Sequence, residues 1–549
     1  MEPKVCTTQQ CRGGIPSLRC MAVAALVFAA LALASGAFAQ DTEGAPAPVE
    51  EGVGDPDAGP STPAEGEAVA EPTAEASEEA SETPEELAGD VEPFDEPTDF
   101  SAPIDTADSG GDEWGEFDDW EGEEGSAAGA ASGGKAWDFQ LGGFVEGLVA
   151  PRVVRSSASA NEFTSAEARF RLNVDAVHEI ASARFRGDVF VDGALARIWF
   201  DIRDASIFVR GGSWFNMRFG RQVLTWGTGD FLFLNDLFPK DFNSFFIGRA
   251  DEYLKAPSNS IQTTFMMKKV GLDLIWTPIF EPDRFINGER LSFFNPIIGE
   301  IQGDRSPLSP IEPTAPDRRL RNGTIHGRLY GSAGPVELAA YGYVGFWPQP
   351  IALTGPLAPP PDAPNLTFAR LAVYGASLRA PVGGGLFNVE GAFYDSFDDR
   401  AGTDPTTPNS QFRGLAGYER ELFPKFQMGL QYYLEYTLKY DELTSPGDPT
   451  TGTPPPGSYW IPYLPNRFRH VLTLRLTQLL VMDKLELSLF TFFSPDELDT
   501  YIRPRITYKI IDPLAFVVGA NLMFGRDDYT FFGQLKENTN VYVRLRYSF

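Results

Sequence analysis

The chain has 549 residues and a formal net charge of −31, from 76 acidic and 45 basic side chains. Its three cysteines, Cys6, Cys11 and Cys20, all precede the cleavage site predicted below, so the mature protein is predicted to contain none. This excludes disulfides, thiolate metal sites and cysteine nucleophiles.

Residues 1–39 are predicted to be a secretory signal peptide. Basic residues precede an uncharged apolar stretch that begins at Met21, and Ala37-Phe38-Ala39 supplies a small-x-small site for signal peptidase. A membrane anchor is the alternative, but the apolar core is short and ends at a cleavage site rather than at a stop-transfer charge. No cysteine follows it, which disfavours a lipoprotein.

Residues 40–135 form a segment rich in Glu, Asp, Pro, Ala, Gly and Ser. It holds roughly 30 acidic side chains and no basic one before Lys135, so it carries nearly all of the net charge. It cannot bury enough apolar surface to offset its ordering entropy, so we predict disorder. One interpretation is a solvated spacer. The other is docking to a basic periplasmic partner or loose Ca²⁺ binding, with the aromatic and acidic patch Trp114–Trp120 as the contact.

From residue 136 to 549, apolar and polar residues alternate with period two over about ten positions at a time, which predicts β-strands. In the segment 168–175, Phe170 and Leu172 fall on one face and Arg169 and Arg171 on the other. Each strand therefore has one apolar and one charged face. Alternation alone fits a soluble sandwich as well as a membrane barrel.

Three further features favour a transmembrane antiparallel barrel. Loop lengths alternate strictly: tight turns at 211–213, 268–271, 332–335, 381–385, 423–425, 482–484 and 511–513 are interleaved with long connections at 229–258, 281–318, 348–364 and 444–465. Aromatic residues crowd the predicted outward strand ends, namely Tyr432, Tyr433, Tyr436, Tyr440, Phe490, Phe492 and Phe493. The chain also ends on Tyr547-Ser548-Phe549, which resembles the C-terminal signal of outer-membrane proteins that the barrel assembly machinery reads.

The runs from Trp137 onward give about 18 strands, with 16 as the alternative, because a barrel with both ends in the periplasm needs an even number. The difference depends on Val189–Phe200, which is either one bent strand or two. A barrel of this size encloses a water-filled lumen rather than a packed interior.

If the charged faces point inward, the lumen is rich in arginine. The basic candidates for pore lining are Arg169, Arg171, Arg184, Arg186, Arg197, Arg203, Arg218, Arg467, Arg469, Arg475, Arg503, Arg505, Arg544, Arg546 and Lys509. The acidic residues of the same parity are Asp175, Asp188, Asp201, Glu390, Glu435 and Glu486. Such a wall attracts anions, and opposite acids would create a transverse field. The alternative is that the arginines are paired internally and only stiffen the barrel.

The most distinctive local sequence contains Gly220, Arg221, Gln222, Trp226 and Gly227, followed by Asp230 and by a Pro-Lys-Asp turn. It resembles a family of porin-like outer-membrane barrels that carry Gly-Arg-Gln-x-x-x-Trp-Gly, then Asp, then Pro-x-Asp. It is also distantly similar to alginate-export barrels. The resemblance extends into residues 275–285 and implies a porin-like barrel. Phe238 stands where that family usually has Asn before the proline, so the resemblance gives no role for that Asn here.

The connection 229–258 contains so many phenylalanine and leucine residues that we predict it folds inward as a constriction. Its charged residues would then face the pore: Asp230, Asp236, Asp241, Arg249 and Asp251. The alternative is a helix-like lid that packs on the wall, with the acids as helix caps.

Catalysis has little support in the sequence. The three histidines, His178, His326 and His470, lie on different predicted strands, with no serine or carboxylate at a spacing typical of a hydrolase. The sequence contains no phosphate-binding glycine loop, zinc-ligand spacing or basic nucleic-acid patch. We therefore predict a protein that is not an enzyme and needs no cofactor or metal.

Together these features predict a porin or channel of the bacterial outer membrane, with both termini in the periplasm, for diffusion of small hydrophilic, chiefly anionic, solutes. The predicted partners are outer-membrane lipids, the barrel assembly machinery and small solutes, with no nucleic acid and with a homotrimer left open. One alternative is a dedicated transporter of a hydrophobic compound or an exported polymer. Another is a structural barrel that tethers the envelope through its acidic arm.

Overall fold

The computed structural model describes residues 137–549 except 296–297, 356–364, 405 and 444–465. The predicted signal peptide and the predicted disordered segment, including its Trp114–Trp120 patch, lie outside the described residues. So do the second half of the predicted loop 348–364 and all of the loop 444–465.

The regular structure of the described chain is almost entirely β-strand. The strands are β1 (Asp138–Pro151), β2 (Phe163–His178), β3 (Ala181–Asp192), β4 (Arg197–Arg210), β5 (Phe215–Val223), β6 (Pro257–Met267), β7 (Val270–Thr277), β8 (Phe293–Asn295), β9 (Glu300–Gln302), β10 (Thr324–Ala333), β11 (Val336–Phe346), β12 (Ala352–Thr354), β13 (Asn365–Thr367), β14 (Arg370–Val382), β15 (Gly385–Ser396), β16 (Gln411–Phe423), β17 (Phe426–Thr437), β18 (Phe468–Leu480), β19 (Leu485–Ser494), β20 (Asp499–Ile511), β21 (Leu514–Gly525) and β22 (Asn540–Ser548).

Eighteen of these strands form one closed antiparallel barrel. Each barrel strand pairs with the next along the chain, β7 pairs with β10 and β11 with β14, while β8–β9 and β12–β13 are small hairpins within loops. Closure comes from β22 against β1, where Glu146 is opposite Arg546. The predicted count of 18 is confirmed, and residues 189–200 belong to two strands, β3 and β4, separated by a turn.

The two ends of the barrel differ. At the turn end, tight turns follow β2, β4, β6, β10, β14, β16, β18 and β20. At the loop end, the connections are longer, except that 193–196 and 495–498 are also short. The predicted strict alternation of loop length is therefore wrong at these two places, where β3 joins β4 and β19 joins β20 directly.

The wall is apolar outside and polar inside, as period two requires. On β1, Val145 is 50% exposed on the outer face while Glu146 is 2% exposed on the inner face. A bulge in β4 interrupts the period, because Arg186 and Gly187 of β3 pair with Asp204 and Ile202 and leave Arg203 without a partner.

Helical structure in the described residues is confined to short turns. These are α1 (Phe242–Phe246), α2 (Tyr440–Leu443) and the 3₁₀ turns Asp251–Leu254, Leu320–Asn322 and Gly533–Asn538. No helix among the described residues is long and apolar enough to cross a membrane.

Residues 224–256, which connect β5 to β6 and are called the inward loop below, lie inside the barrel. Leu234, Phe246 and Ile247 of this loop are at most 2% exposed and pack in one apolar cluster with side chains of β11, β14–β21 and the β21–β22 connection. The lumen therefore contains a packed core on one side, where the size of the barrel predicts only water.

Candidate functional site

The root of the inward loop is built by the Gly-Arg-Gln motif of β5. Gly220 has φ +124° and no room for a side chain, because a Cβ would lie 2.3 Å from the carbonyl oxygen of Ala205. Gln222 is fully buried and donates from Nε2 to Oγ of Ser260 at 2.9 Å. Arg221, one position earlier, donates from Nε to the carbonyl of Ile202 at 2.7 Å. These contacts fix β5 between its two neighbours just before the chain turns inward.

The second half of the motif packs against the wall. Trp226 is 8% exposed and lies edge-on to Phe238, with ring centroids 5.0 Å apart. His326 stacks on the ring of Phe238, with centroids 4.4 Å apart. Gly227 has φ +96°, and a Cβ there would lie 3.1 Å from a carboxylate oxygen of Glu390. The motif thus determines where and at what angle the inward loop enters the lumen.

Seven arginines form the wall on one side of the lumen, called the arginine wall below: Arg169, Arg171, Arg203, Arg503, Arg505, Arg544 and Arg546. Glu146 of β1 lies among three of them. Arg169 contacts its carboxylate directly, Arg546 Nε is 2.8 Å away and Arg544 Nε is 3.6 Å away. Closure of the barrel brings β22 beside β1 and β2, so arginines distant in sequence share one carboxylate.

The inward loop docks on this wall with two consecutive acids. Asp251 lies 2.6 Å from Arg503 and 2.8 Å from Arg505. Burial alone would raise the pKa of the Asp251 carboxyl group, but these two arginines outweigh burial and hold its pKa below the ordinary value. Glu252 is 2.9 Å from Arg171, and its pKa is held below the ordinary value in the same way. Both side chains are therefore ionised at neutral pH.

Main-chain contacts and Tyr253 complete the docking. Arg203 donates to the carbonyl oxygens of Glu252 and Lys255 at 2.8 and 2.9 Å. The hydroxyl of Tyr253 donates to Asp188 at 2.5 Å, and its ring lies 3.9 Å from the guanidinium of Arg169. The loop is thereby held to the wall by charge, hydrogen bonds and cation–π contact together.

The other predicted pore-facing residues of the loop are also engaged. Asp230 pairs with Arg475, and Arg249 lies 2.6 Å from Glu167. Asp236 lies 2.8 Å from Lys240, and Asp241 accepts the backbone N–H of Ser244 at 2.9 Å as the cap of α1. The loop lies inside the barrel, and each of its five predicted pore-facing residues has a partner in this structure. The cap at Asp241 corresponds to the alternative interpretation.

The remaining arginines predicted to line the pore divide into two groups. Arg184 pairs with Asp175 at 3.0 Å and Arg469 with Glu497 at 3.1 Å on the inner face, where Arg186 and Arg218 also lie. Arg197 and Arg467 form the second group. Their side chains are 46% and 39% exposed at the loop end, because both stand at or before the first residue of a strand. Lys509 lies near the turn end of β20.

The predicted acidic counterweights all lie on the inner face of the wall. Four of them lie 2.7 to 3.1 Å from a guanidinium group: Asp175 from Arg184, Asp188 from Arg171, Asp201 from Arg284 and Glu486 from Arg505. Glu435 lies 3.4 Å from Arg413. Glu390 instead receives the backbone N–H of Thr228 and the amide of Asn235 at 2.9 Å, both from the inward loop. These ion pairs correspond to the alternative interpretation of the arginines, in which they are paired internally.

The other side of the lumen was missed by the sequence analysis. Its wall consists of Tyr394, Tyr433, Phe490, Phe492 and Tyr501, called the aromatic wall below, each at most 6% exposed. The prediction that Tyr433, Phe490 and Phe492 face lipid is therefore wrong, whereas Tyr432 and Phe493 do, at 41% each. The signal was present: aromatic residues at successive positions of β17 and β19 indicate strands that are apolar on both faces.

Two further features escaped sequence analysis. The bulge at Arg203 places that residue and Asp204 both on the inner face, 5% and 7% exposed. The connection 278–323 also enters the lumen mouth, where Arg284 pairs with Asp201 at 2.8 Å and Arg290 contacts Asp192. Within the described residues, no group of three potential ligands is placed to hold a metal ion.

No protein-family model matches this chain, and no curated protein matches it. Several solved structures are similar to it. OccD3 of Pseudomonas aeruginosa is 10% identical with a TM-score of 0.42, over 75% of this chain and 90% of that one. OprD of the same organism is 8% identical with a TM-score of 0.41, over 75% and 94%. The outer membrane channel DcaP of Acinetobacter baumannii is 11% identical with a TM-score of 0.36, over 76% and 100%. Likenesses of this size establish no function for this chain.

Proposed function

We propose that this protein is a bacterial outer-membrane channel for small hydrophilic solutes, with a preference for anions. The observation that carries the proposal is the arginine wall inside a closed 18-stranded barrel. An apolar outer face and a polar inner face are what a lipid-embedded barrel with an aqueous interior requires. Charged side chains on the inner face make the lumen suitable for water and ions rather than for lipid.

The preference for anions follows from the balance of charge on the wall strands. Glu146 is the carboxylate within reach of Arg169, Arg544 and Arg546 together. The arginine wall itself therefore carries a net positive charge. Asp251 and Glu252 of the inward loop neutralise much of this charge. A displacement of the loop uncovers guanidinium groups, which attract anions and repel cations.

The proposal includes the setting of the barrel. We place the turn end in the periplasm, because short turns occupy that side of outer-membrane barrels. Export by the predicted signal peptide is part of the proposal. Phe549 is 56% exposed, and its backbone exchanges two hydrogen bonds of 2.9 Å with Gly143 of β1. A homotrimer remains part of the proposal.

Planar bilayers containing the purified protein test this function. We expect ohmic current and, in a KCl gradient, a reversal potential of the sign that indicates anion passage. Arg544→Gln should shift that potential toward cations, because Arg544 lies 3.6 Å from its nearest carboxylate and makes the weakest ion pair of the wall. Arg420→Gln, at an exposed position near the turn at 424–425, is the matched control. Absence of current, or cation preference in the wild type, would contradict the proposal.

A second candidate function is a gated transporter of a hydrophobic compound. The packed cluster between the inward loop and the aromatic wall favours it, because this cluster offers apolar rather than aqueous surroundings inside the lumen. Proteoliposomes separate the two candidates. Uptake of a hydrophobic dye without ionic current would support the transporter, whereas swelling in hydrophilic solutes would support the channel.

A further inference from the structure

A hollow lies in the lumen on the turn-end side of the inward loop. Thr228 and Asp230 of the loop form one side of it, and lumen-facing residues of β14–β18 form the other. Its neutral polar groups are those of Asn388, Gln431 and Thr473. Every segment that borders it belongs to the described residues.

The register of the wall explains why the hollow exists. Asn388 is opposite Gly417, Gly417 is opposite Gln431, and Gln431 is opposite Thr473, so these residues form one row across four strands. A Cβ at Gly417 would lie 2.1 Å from Oδ1 of Asn388, so the row has a gap that only glycine allows. The next row toward the loop end contains Leu415 and Tyr433, which close the hollow with apolar surface.

The inward loop occupies the polar groups of this wall as a ligand would. Asn388 donates from Nδ2 to the carbonyl oxygen of Thr228 at 2.5 Å, and Oε1 of Gln431 accepts the N–H of Asp230 at 3.0 Å. Nε of Arg475 donates to Oδ2 of Asp230 at 2.5 Å, and Nη2 contacts Oδ1. This is the two-pronged geometry in which arginine recognises a carboxylate.

The charges of the hollow show what the loop contributes. The wall supplies Arg379, Arg475 and Glu419, an excess of one positive charge, and Asp230 of the loop brings the formal sum to zero. The side chains of Asp230 and Arg475 are 15% and 13% exposed, so the pair borders the hollow rather than lying in sealed core. Solutes in the hollow therefore have access to both partners.

The backbone of residues 227–231 is also strained. Gly227 has φ +96°, and Phe231, which is not glycine, has φ +57°. A non-glycine residue with a positive φ is strained, and the conformation persists because the surroundings hold it there. Here the surroundings include the ring of Phe490, 4.9 Å from that of Phe231. Release of the Asp230 contact would allow this strain to relax.

We propose that the hollow is a binding site for small hydroxylated carboxylates, and that Asp230 is a built-in competitor which such a solute displaces from Arg475. The inference rests on the proposed channel function, and it names the solute class and the place where the solute binds. The solute carboxylate takes both prongs of the guanidinium, while Asn388, Gln431 and Thr473 hydrogen-bond its hydroxyl groups. Displacement of Asp230 frees residues 228–230 from the wall.

Isothermal titration calorimetry of the full chain in detergent, with sodium gluconate as the probe, tests the inference. Asp230→Asn should bind gluconate about tenfold more tightly than the wild type, because the internal anion no longer competes. Arg475→Gln should abolish binding, and glucose, which lacks the carboxylate, should show no difference between wild type and Asp230→Asn. Asp483→Asn removes the acid of an exposed ion pair with Lys425 at the turn end and is the matched control.

Each outcome is decisive. The inference is overturned if Asp230→Asn binds gluconate no more tightly than the wild type and Asp483→Asn, if Arg475→Gln still binds, or if none of the proteins binds. Asp230→Asn is close to isosteric and keeps an acceptor for Arg475, and Asp230→Ser provides a second variant if it misassembles. Calorimetry requires no passage, so binding without conductance contradicts the channel function alone, and conductance without the Asp230 effect contradicts this inference alone.

Discussion

The arginine wall and the aromatic wall hold the same loop by opposite means. On the arginine wall, Asp251 and Glu252 meet guanidinium groups at 2.6 to 2.9 Å. On the aromatic wall, Phe245 and Phe246 lie with their ring centroids 5.7 and 5.5 Å from that of Tyr501. Ionic contacts can be exchanged for contacts with a charged solute, whereas buried aromatic contacts have no substitute in water. The two contacts should therefore respond to different substitutions: loss of charge weakens the contact with the arginine wall, and loss of ring area weakens the contact with the aromatic wall.

The largest expected effect breaks the arginine wall itself. Glu146→Gln removes the carboxylate that Arg169 and Arg546 share and leaves buried guanidinium groups uncompensated. We expect a loss of about 3–5 kcal/mol in the free energy of unfolding. Urea titration of the protein in detergent measures it.

The control for Glu146 is an acid of an exposed pair, Asp483→Asn, for which about 0–1 kcal/mol is expected. Equal stability of the Glu146→Gln variant and the wild type would show that water or ions inside the lumen already solvate the arginine wall.

The next effect concerns the aromatic wall. Phe492→Ala removes a ring that is 6% exposed and packs with Tyr501 and Phe532, and we expect a loss of about 3 kcal/mol in the free energy of unfolding. Phe493→Ala, on the lipid face of the same strand, is the matched control and should cost less, because lipid replaces the lost contacts. If the two substitutions cost the same, the inner face of β19 does not support a packed core.

Sequence periodicity predicted the barrel because each strand presents one apolar and one polar row, and 18 such runs close without further assumptions. It did not predict the interior. Phe490 and Phe492 share a face with residues that elsewhere are charged, and only the presence of the inward loop explains why rings are buried there. Which strands a loop covers is a property of the tertiary fold, and period two carries no information about it.

The sequence likewise did not predict which charged residues form ion pairs with each other. Arg546 of the last strand lies 2.8 Å from Glu146 of the first, and only closure of the barrel brings these two residues together. The partners of Asp230 and Asp251 depend on how far the loop crosses the lumen. Arg203 and Asp204 both face inward because of one bulged residue, and a bulge shifts parity without a marked change in composition.

The smallest expected effect lies where the connection 278–323 meets the inward loop. Asp283 is buried, accepts the backbone N–H of Lys240 at 2.8 Å and has its pKa raised by burial from 3.8 to about 6.

Because the folded pKa is above the unfolded one, the folded state is penalised once the carboxyl group must ionise. Stability should therefore fall as the pH rises from about 4 to about 6, by about 1 kcal/mol per pH unit relative to Asp283→Asn, which keeps the acceptor without the charge, and should then level off. Asp251 and Glu252 have lowered pKa values, so their docking contributes stability that is lost only at acidic pH, in the opposite direction. Parallel pH profiles for the wild type and Asp283→Asn between pH 4 and 7, measured by urea titration, would contradict the burial of this carboxyl group.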